Sequence, residues 1–166
     1  MRVFIVGGTG FVGVNVANRL RARGDDVTVM GHTPGRPRGL DPAVAVVVGD
    51  ATVGGPWQER IAGHEVVVNL AGASIFTRWT GESKKLIRSS RILTTRNIVD
   101  ALPSTGAVAL LSTSAVGYYG FHDDEELGED AGSGADFLAR LCVDWETEAL
   151  GARDRGARVA IARFGI

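Results

Sequence analysis

Apolar, β-branched runs alternate along this chain with segments whose apolar residues recur every three or four positions. The runs Arg2–Val6, Asp26–Met30, Ala43–Val48, Glu65–Leu70, Ala107–Ser112 and Arg158–Arg163 read as strands. Val44–Val48 is apolar without a break and Val66–Leu70 is broken only by Asn69, which suits strands covered on both faces. Helical spacing predicts helices over Phe11–Arg23, a short stretch near Trp57–Ala62, Gly81–Leu102 and Gly134–Arg153. The third is expected to gather Leu86, Ser90, Leu93, Asn97, Ile98 and Ala101 on one face, with Pro103 marking its end. The last gathers Phe137, Leu141, Cys142, Trp145 and Leu150. Strands alternating with helices across short turns predict an α/β fold with a doubly wound parallel sheet. No internal repeat or linker interrupts the pattern, so residues 1–166 read as one domain.

Between the first strand and the first helix lies Gly7-Gly8-Thr9-Gly10-Phe11-Val12-Gly13. It contains Gly8-x-Gly10-x-x-Gly13, the dinucleotide-binding fingerprint, in its strand–turn–helix context. The chemistry needs glycine for separate reasons. One permits the tight turn, another lets a pyrophosphate approach the backbone, and a third lets the helix pack closely on the strand. The helix N-terminus then offers free N–H groups and a positive dipole end to the phosphates. The expected architecture is Rossmann-like, with strand order 3-2-1-4-5-6.

Two segments are longer than a connecting turn requires: Ala71–Thr80 after the fourth strand and Ala115–Ser133 after the fifth. Both leave the carboxyl ends of strands, where open α/β sheets bind ligands. The second holds Tyr118, Tyr119 and the acidic run Asp123-Asp124-Glu125-Glu126, which reads as a solvated lid surface.

Composition narrows the partners. With 18 basic and 19 acidic residues, the net charge of −1 gives no support for nucleic-acid or anionic-membrane binding. The 23 glycines suit a fold with many tight turns. No apolar run approaches the roughly 20 residues needed to span a bilayer, and the N-terminus enters a strand directly without a signal-peptide pattern. Cys142 is the single cysteine, so no internal disulfide forms, and a reducing cytoplasm is the expected location. His32, His64 and His122 lack ligand spacing, so no metal site is expected.

At this point the residues resemble an extended short-chain dehydrogenase/reductase. More narrowly, they are similar to the atypical NAD-dependent epimerase/dehydratase family, which includes proteins once called cell-division inhibitors of the SulA type. The matching pieces are the Gly7–Gly13 turn, Val68-Asn69-Leu70-Ala71-Gly72-Ala73 and Trp79 with Ser90-Arg91. To these add Ser112-Thr113-Ser114-Ala115-Val116-Gly117-Tyr118-Tyr119-Gly120 and the stretch from Phe137 to Glu146 containing Leu141-Cys142-Val143-Asp144-Trp145-Glu146. The resemblance implies that Gly7, Gly8, Thr9, Gly10, Phe11, Val12 and Gly13 form the pyrophosphate cradle. It implies that Asp50 and Ala51 touch the adenine, and that Leu70, Ala71 and Gly72 line the ribose side, with Ser112 nearby. Ser114 matches the serine that hydrogen-bonds a substrate hydroxyl or carbonyl. Its plainer role is to cap a turn at the end of a strand.

The wider superfamily also places Tyr-x-x-x-Lys on the helix after the long loop. Here the matching positions are Asp136 and Arg140. Ser133-x-x-Asp136 reads as a capping box, and that role is favoured over a catalytic aspartate because a carboxylate at a helix N-terminus is a poor acid. Arg140 can hold a ribose or phosphate but cannot act as a base. The usual proton relay is therefore absent. Tyr118 or Tyr119 stands as a substitute, against the commoner role of an aromatic in packing.

NADP is expected to be preferred over NAD. The second strand runs out at Val29-Met30-Gly31-His32, without the carboxylate that would bind a ribose 2′-hydroxyl, while Arg36 and Arg38 follow to pair with a 2′-phosphate. The implied activity is hydride transfer on a carbonyl or sugar-like small molecule, with a non-catalytic dinucleotide sensor or scaffold as the competing reading. A Ser hydrolase is weaker still, since no Gly-x-Ser-x-Gly elbow is present. Such proteins usually continue beyond this length. The chain is therefore expected to be a truncated form, lacking the C-terminal substrate-binding part and inactive as it stands. Its last strand, ending Arg163-Phe164-Gly165-Ile166, is expected to be covered by a second copy in a homodimer or to be mobile.

Overall fold

The apolar runs pair side by side, all in parallel, with the third at one edge followed by the second, first, fourth, fifth and sixth. A computed structural model describes residues 1–104 and 108–165. The strands are β1 (Arg2–Val6), β2 (Asp26–Gly31), β3 (Ala45–Val48), β4 (Val66–Asn69), β5 (Ala109–Ala115) and β6 (Arg158–Phe164). The helices are α1 (Phe11–Ala22), α2 (Gly81–Ala101) and α3 (Phe137–Leu150). β1 is central, with Ile5 beside Val29 of β2 and Val68 of β4. The order reverses between β1 and β4, which is the switch point where α/β sheets open a crevice.

Strand alternation divides the core. Val3, Ile5, Val27, Val29 and Val68 pack with Ala17 of α1 on one face. Phe4, Val6, Val67 and Leu110 pack with Ile98 of α2 and Ala149 of α3 on the other. Each fully buried aliphatic side chain contributes roughly 1.5–3 kcal/mol.

Several boundaries differ from the sequence pattern. β3 starts at Ala45 because the Val44 amide is turned back to the Asp41 carbonyl. Ala107 of the predicted fifth strand lies outside the described residues, and β5 continues past Ser112 to Ala115 alongside β6. The stretch near Trp57 forms only a 3-10 turn, Gln58–Ile61. The predicted last helix begins three residues late. Gly134 is held by its N–H to the Tyr118 carbonyl at 2.9 Å, packed on the Gly120 backbone, so it cannot open a helix. Asp136 caps instead, its carboxylate accepting from the Leu138 and Ala139 N–H groups, without a capping box to Ser133. After Leu150 the chain tightens into a 3-10 turn, Gly151–Arg155.

The buried face of α2 is also rotated from the predicted one. Ile87, Ile92, Thr94, Thr95 and Ile98 are buried, whereas Leu93 is exposed and Leu86 is 58% exposed. A polar network decides this. The Asn69 amide donates to Thr95 Oγ1 at 2.9 Å and to Ser112 Oγ at 3.3 Å. The Trp145 indole N–H donates to the same Thr95 oxygen at 2.9 Å, and Asn69 Oδ1 accepts from the Ala71 N–H at 3.2 Å. Turning Leu93 inward would strand these groups without partners, at about 1–3 kcal/mol each.

Glycine at position 13 has no freedom to change. A Cβ there would lie 2.5 Å from Gly8 Cα and 2.6 Å from the Gly7 carbonyl oxygen, both rigid backbone. Gly13→Ala is expected to lower stability by about 1–3 kcal/mol. Gly10→Ala, whose Cβ meets only the Gly7 oxygen at 3.4 Å, should melt close to the parent. Thermal denaturation of the two variants side by side measures the difference.

Candidate functional site

At the end of β1 the chain turns through Gly7–Gly10 into α1. Gly7 adopts φ +77°, and a Cβ there would come within 2.8 Å of the Leu70–Ala71 backbone. Gly8 packs on β2, its N–H donating to the Met30 carbonyl at 3.0 Å. The tight turn is therefore made at Gly7, while Gly8 and Gly13 provide close packing. Gly10 faces open space and is the N-cap of α1 without a side-chain acceptor for the helix's free N–H groups.

A cleft of about 490 Å³ opens in front of this turn. It brings together Gly7, Thr9, Gly10, His32, Asp50, Ala51, Leu70, Ala71 and Gly72 from the predicted cofactor set. Asp50 accepts from Thr52 N–H at 2.8 Å and Thr52 Oγ1 at 2.7 Å, and these bonds hold its carboxyl below the usual range. The remaining members of the set lie elsewhere. Gly8 and Gly13 sit behind the turn, and Val12 lines a second space. Phe11 and Arg38 border a shallow groove on the outer side of α1. Arg36 ties its own loop together, donating to the Asp41 and Val44 carbonyls at 2.9 Å each. Ser112 is fully buried beneath the cleft, bonded to Asn69.

Sequence reasoning missed nine residues that line the cleft, of which Val6, Met30, Gly49, Thr52 and Ala73 flank members of the predicted set. Leu86, Ser90 and Thr94 of α2 form a wall, a face legible as an i, i+4, i+8 stripe once the helix rotation is known. Gly31 was noted only for its missing carboxylate. A Cβ there would lie 2.0 Å from Thr9 Oγ1, so glycine at this position seats Thr9.

The second space is a cavity of about 220 Å³ that shares Leu70, Ala71 and Gly72 with the cleft. Its walls include Ile75, Leu138, Leu141 and Trp145, and its polar members include Arg91, Thr113, Ser114 and Cys142. Ser114, the penultimate residue of β5, is 3% exposed, and its Oγ has no hydrogen-bond partner of normal geometry among the described residues. Burial pushes the Cys142 thiol above its usual range, and the neighbouring Ser114 hydroxyl only partly opposes this. A thiol is a weak partner, so the hydroxyl keeps its hydrogen-bonding capacity for a ligand.

The structure gathers no Tyr, Asp or Lys around Ser114 among the described residues lining the cavity. Arg163 holds both tyrosines. Its guanidinium donates to both Glu146 oxygens at 2.9 Å, to Tyr119 Oη at 2.7 Å and to the Glu129 carbonyl at 2.9 Å. It also stacks 3.5 Å from the Tyr118 ring centroid. Glu146 and Tyr119 secure its positive charge. Asp136 is the cap already described. Arg140 is exposed and donates to the Ala135 carbonyl at the start of its own helix. The acidic run Asp123–Glu126 is exposed.

A family model described as "NAD dependent epimerase/dehydratase family" matches residues 3–165. The chain belongs to this family. It is 37% identical to the epimerase family protein SDR39U1 homolog, chloroplastic, of Arabidopsis thaliana, covering all of this chain and 49% of the relative. It also resembles the nucleoside-diphosphate sugar epimerase of Corynebacterium glutamicum, with TM-score 0.80 and 32% identity over 98% of this chain and 33% of that one. A third likeness is to human epimerase family protein SDR39U1 crystallised with NADPH, with TM-score 0.75 and 29% identity over 98% of this chain and 53% of that one. The chain thus spans about half the length of the curated relatives it matches most fully. The names of these relatives carry no cell-division role. No described helix is long and apolar enough to cross a membrane.

An unpartnered buried hydroxyl is a burden on stability. Ser114→Ala is expected to leave stability unchanged or raise it by about 1 kcal/mol, because it removes an unsatisfied polar group. Denaturant unfolding checks this, and a clear loss of stability would assign Ser114 a structural role.

Proposed function

We propose that this chain is the dinucleotide-binding part of an NADP-dependent epimerase/dehydratase-like oxidoreductase, with its substrate in the cavity beside Ser114. The observation that carries the reading is the buried, unpartnered Ser114 hydroxyl in a cavity that shares the Leu70–Gly72 wall with the cleft. The cleft fits a dinucleotide. A side chain at Gly10 would enter open space directly before an uncapped helix N-terminus, which is the form of a pyrophosphate seat. Asp50 and Ala51 also line that cleft and would meet the adenine, and Leu70–Gly72, which line it too, would face the ribose. A bound nicotinamide would supply hydride exchange with a substrate carbon. Ser114 would orient the oxygen on that carbon by hydrogen bonding, and the apolar walls from α3 would exclude water.

NADP is favoured over NAD by the absence of a carboxylate at the end of β2 and by the NADPH in the human relative's structure. With Arg36 engaged by backbone carbonyls, His32 and Arg38 are the groups left to meet a 2′-phosphate. The competing reading is a sensor or scaffold that binds the dinucleotide without chemistry. It is favoured by the engagement of Tyr118 and Tyr119 with Arg163, and neither tyrosine lines the cavity that holds Ser114.

Titration with both cofactors is expected to show tighter NADP binding, and Arg38→Ala should weaken NADP by about tenfold while sparing NAD. Tighter NAD binding would overturn the preference. Gly10→Val should remain folded by circular dichroism yet lose cofactor binding; a folded variant with normal affinity removes the pyrophosphate assignment.

The two functional readings separate on absorbance near 340 nm. Catalysis predicts a change in reduced-cofactor absorbance on adding a carbonyl or sugar substrate, and a sensor predicts binding alone. Simple alcohols and ketones are expected to turn over weakly or not at all.

A further inference from the structure

Arg91 is the unusual charge in this molecule. It projects from α2 into the wall of the cavity, with its Cζ 5.2 Å from the centre of the Trp145 ring. No carboxylate partners it among the described residues. Its Nη1 donates to the Ala73 and Ile87 carbonyls at 3.0 Å each, which fixes the guanidinium plane. Nε and Nη2 make no hydrogen bond to the described protein. These two N–H groups form one edge of the fork, the edge that matches the two oxygens of a carboxylate. Gly72 packs over the guanidinium face, where a Cβ would stand 3.0 Å from Cζ, 3.1 Å from Nη2 and 3.3 Å from Nε, so only glycine leaves the group in this position.

A partly buried cation without a counter-charge costs stability, and burial here works against the charged form. The same cavity holds the second unpartnered group, Ser114 Oγ. Two unmet polar groups lining one otherwise largely apolar space define what would satisfy them. The ligand must carry an oxyanion for the guanidinium edge and an acceptor for the hydroxyl, on a body that tolerates Ile75, Leu138 and Trp145.

We propose that Arg91 and Ser114 bind the carboxylate end of a small organic acid whose apolar body fills this cavity. The inference rests on reading the cavity as the substrate's place, and narrows the substrate to a compact carboxylate. The dinucleotide's own phosphates are a poorer match. Their seat is the Gly10 turn in the cleft, whereas Arg91 and Ser114 line the cavity and not the cleft. The volume, about 220 Å³, suits a compact acid, since sites for larger ligands run to roughly 300–1,000 Å³.

The test uses benzoate and benzamide, which share a shape and differ in charge. Calorimetric titration of the 166-residue chain, with and without saturating NADPH, is expected to show benzoate binding at least about tenfold tighter than benzamide. Arg91→Gln should abolish that preference without changing NADPH affinity, and Ser114→Ala should weaken benzoate several-fold. If Arg91→Gln does not fold by circular dichroism, Arg91→Lys serves, keeping the charge but losing the fork, and should also weaken benzoate several-fold. Equal affinity for the two probes, no benzoate binding at millimolar concentration, or benzoate affinity indifferent to the Arg91 variant overturns the proposal. So does a loss of NADPH affinity in Arg91→Gln with benzoate unaffected, which would assign the anion to the cofactor. A parent chain that binds benzoate through Arg91 but not NADPH would refute the cofactor reading and leave this one standing.

Discussion

The Asn69 side chain is the constraint on which the rest of this structure depends. It is fully buried at the end of β4, so each of its polar atoms must find a partner inside the protein. Its amide reaches Thr95 on α2 and Ser112 on β5, and its oxygen takes the Ala71 N–H where the chain leaves the sheet. Thr95 in turn accepts from Trp145 on α3. Four elements are thereby fixed to one point beneath the site. Leaving any one of these groups unpaired would cost about 1–3 kcal/mol, a large share of a domain's net stability of roughly 5–15 kcal/mol. Apolar packing gives this side of the sheet its stability, while the network sets its rotation and register.

The functional spaces follow from that anchoring. Because Asn69 fixes Ala71, the segment Leu70–Gly72 becomes a stable partition, with the cleft on one side and the cavity on the other. The Gly7 turn packs directly on it, at distances that leave no room for a Cβ. The same rotation of α2 that buries Thr95 turns Leu86, Ser90 and Thr94 toward the cleft and Arg91 toward the cavity. One polar contact in the core thus decides which side chains a ligand would meet.

Two arginines show how differently one residue type is used here. Arg163 has every role of a structural clamp: two carboxylate bonds, a phenol, a carbonyl and a stacked ring. It binds the loop after β5 to α3 and β6, and in doing so removes both tyrosines from consideration as freely placed acids. Arg91 has only carbonyl partners on one nitrogen and keeps an open edge. The contrast lies in tertiary neighbours: Glu146 of α3 packs against Arg163 of β6, whereas no described carboxylate reaches Arg91.

The sequence by itself determined the sheet order, the glycine turn and the position of the cleft at the strands' carboxyl ends. These depend on local period, turn chemistry and chain connectivity, all of which are written along the chain. The strand β1 and the start of α1 fall where the pattern placed them, and Asp136 does cap a helix, though as its own N-cap and not within a box with Ser133. The tertiary structure decided the rest. Leu86 and Leu93 looked like core by spacing, yet Thr94 and Thr95 are buried in their place, with Thr95 joined to Asn69 and Trp145 in a network that only the folded chain assembles. Gly31 seats Thr9, and Ser112 serves Asn69, through contacts between residues more than 20 positions apart. Ser114 and Arg91 come from different elements and meet only in the folded cavity. Neither spacing nor composition records that the Ser114 hydroxyl and the Nε/Nη2 edge of Arg91 are left without a described hydrogen-bond partner there, because satisfaction of a polar group is a property of three-dimensional neighbours.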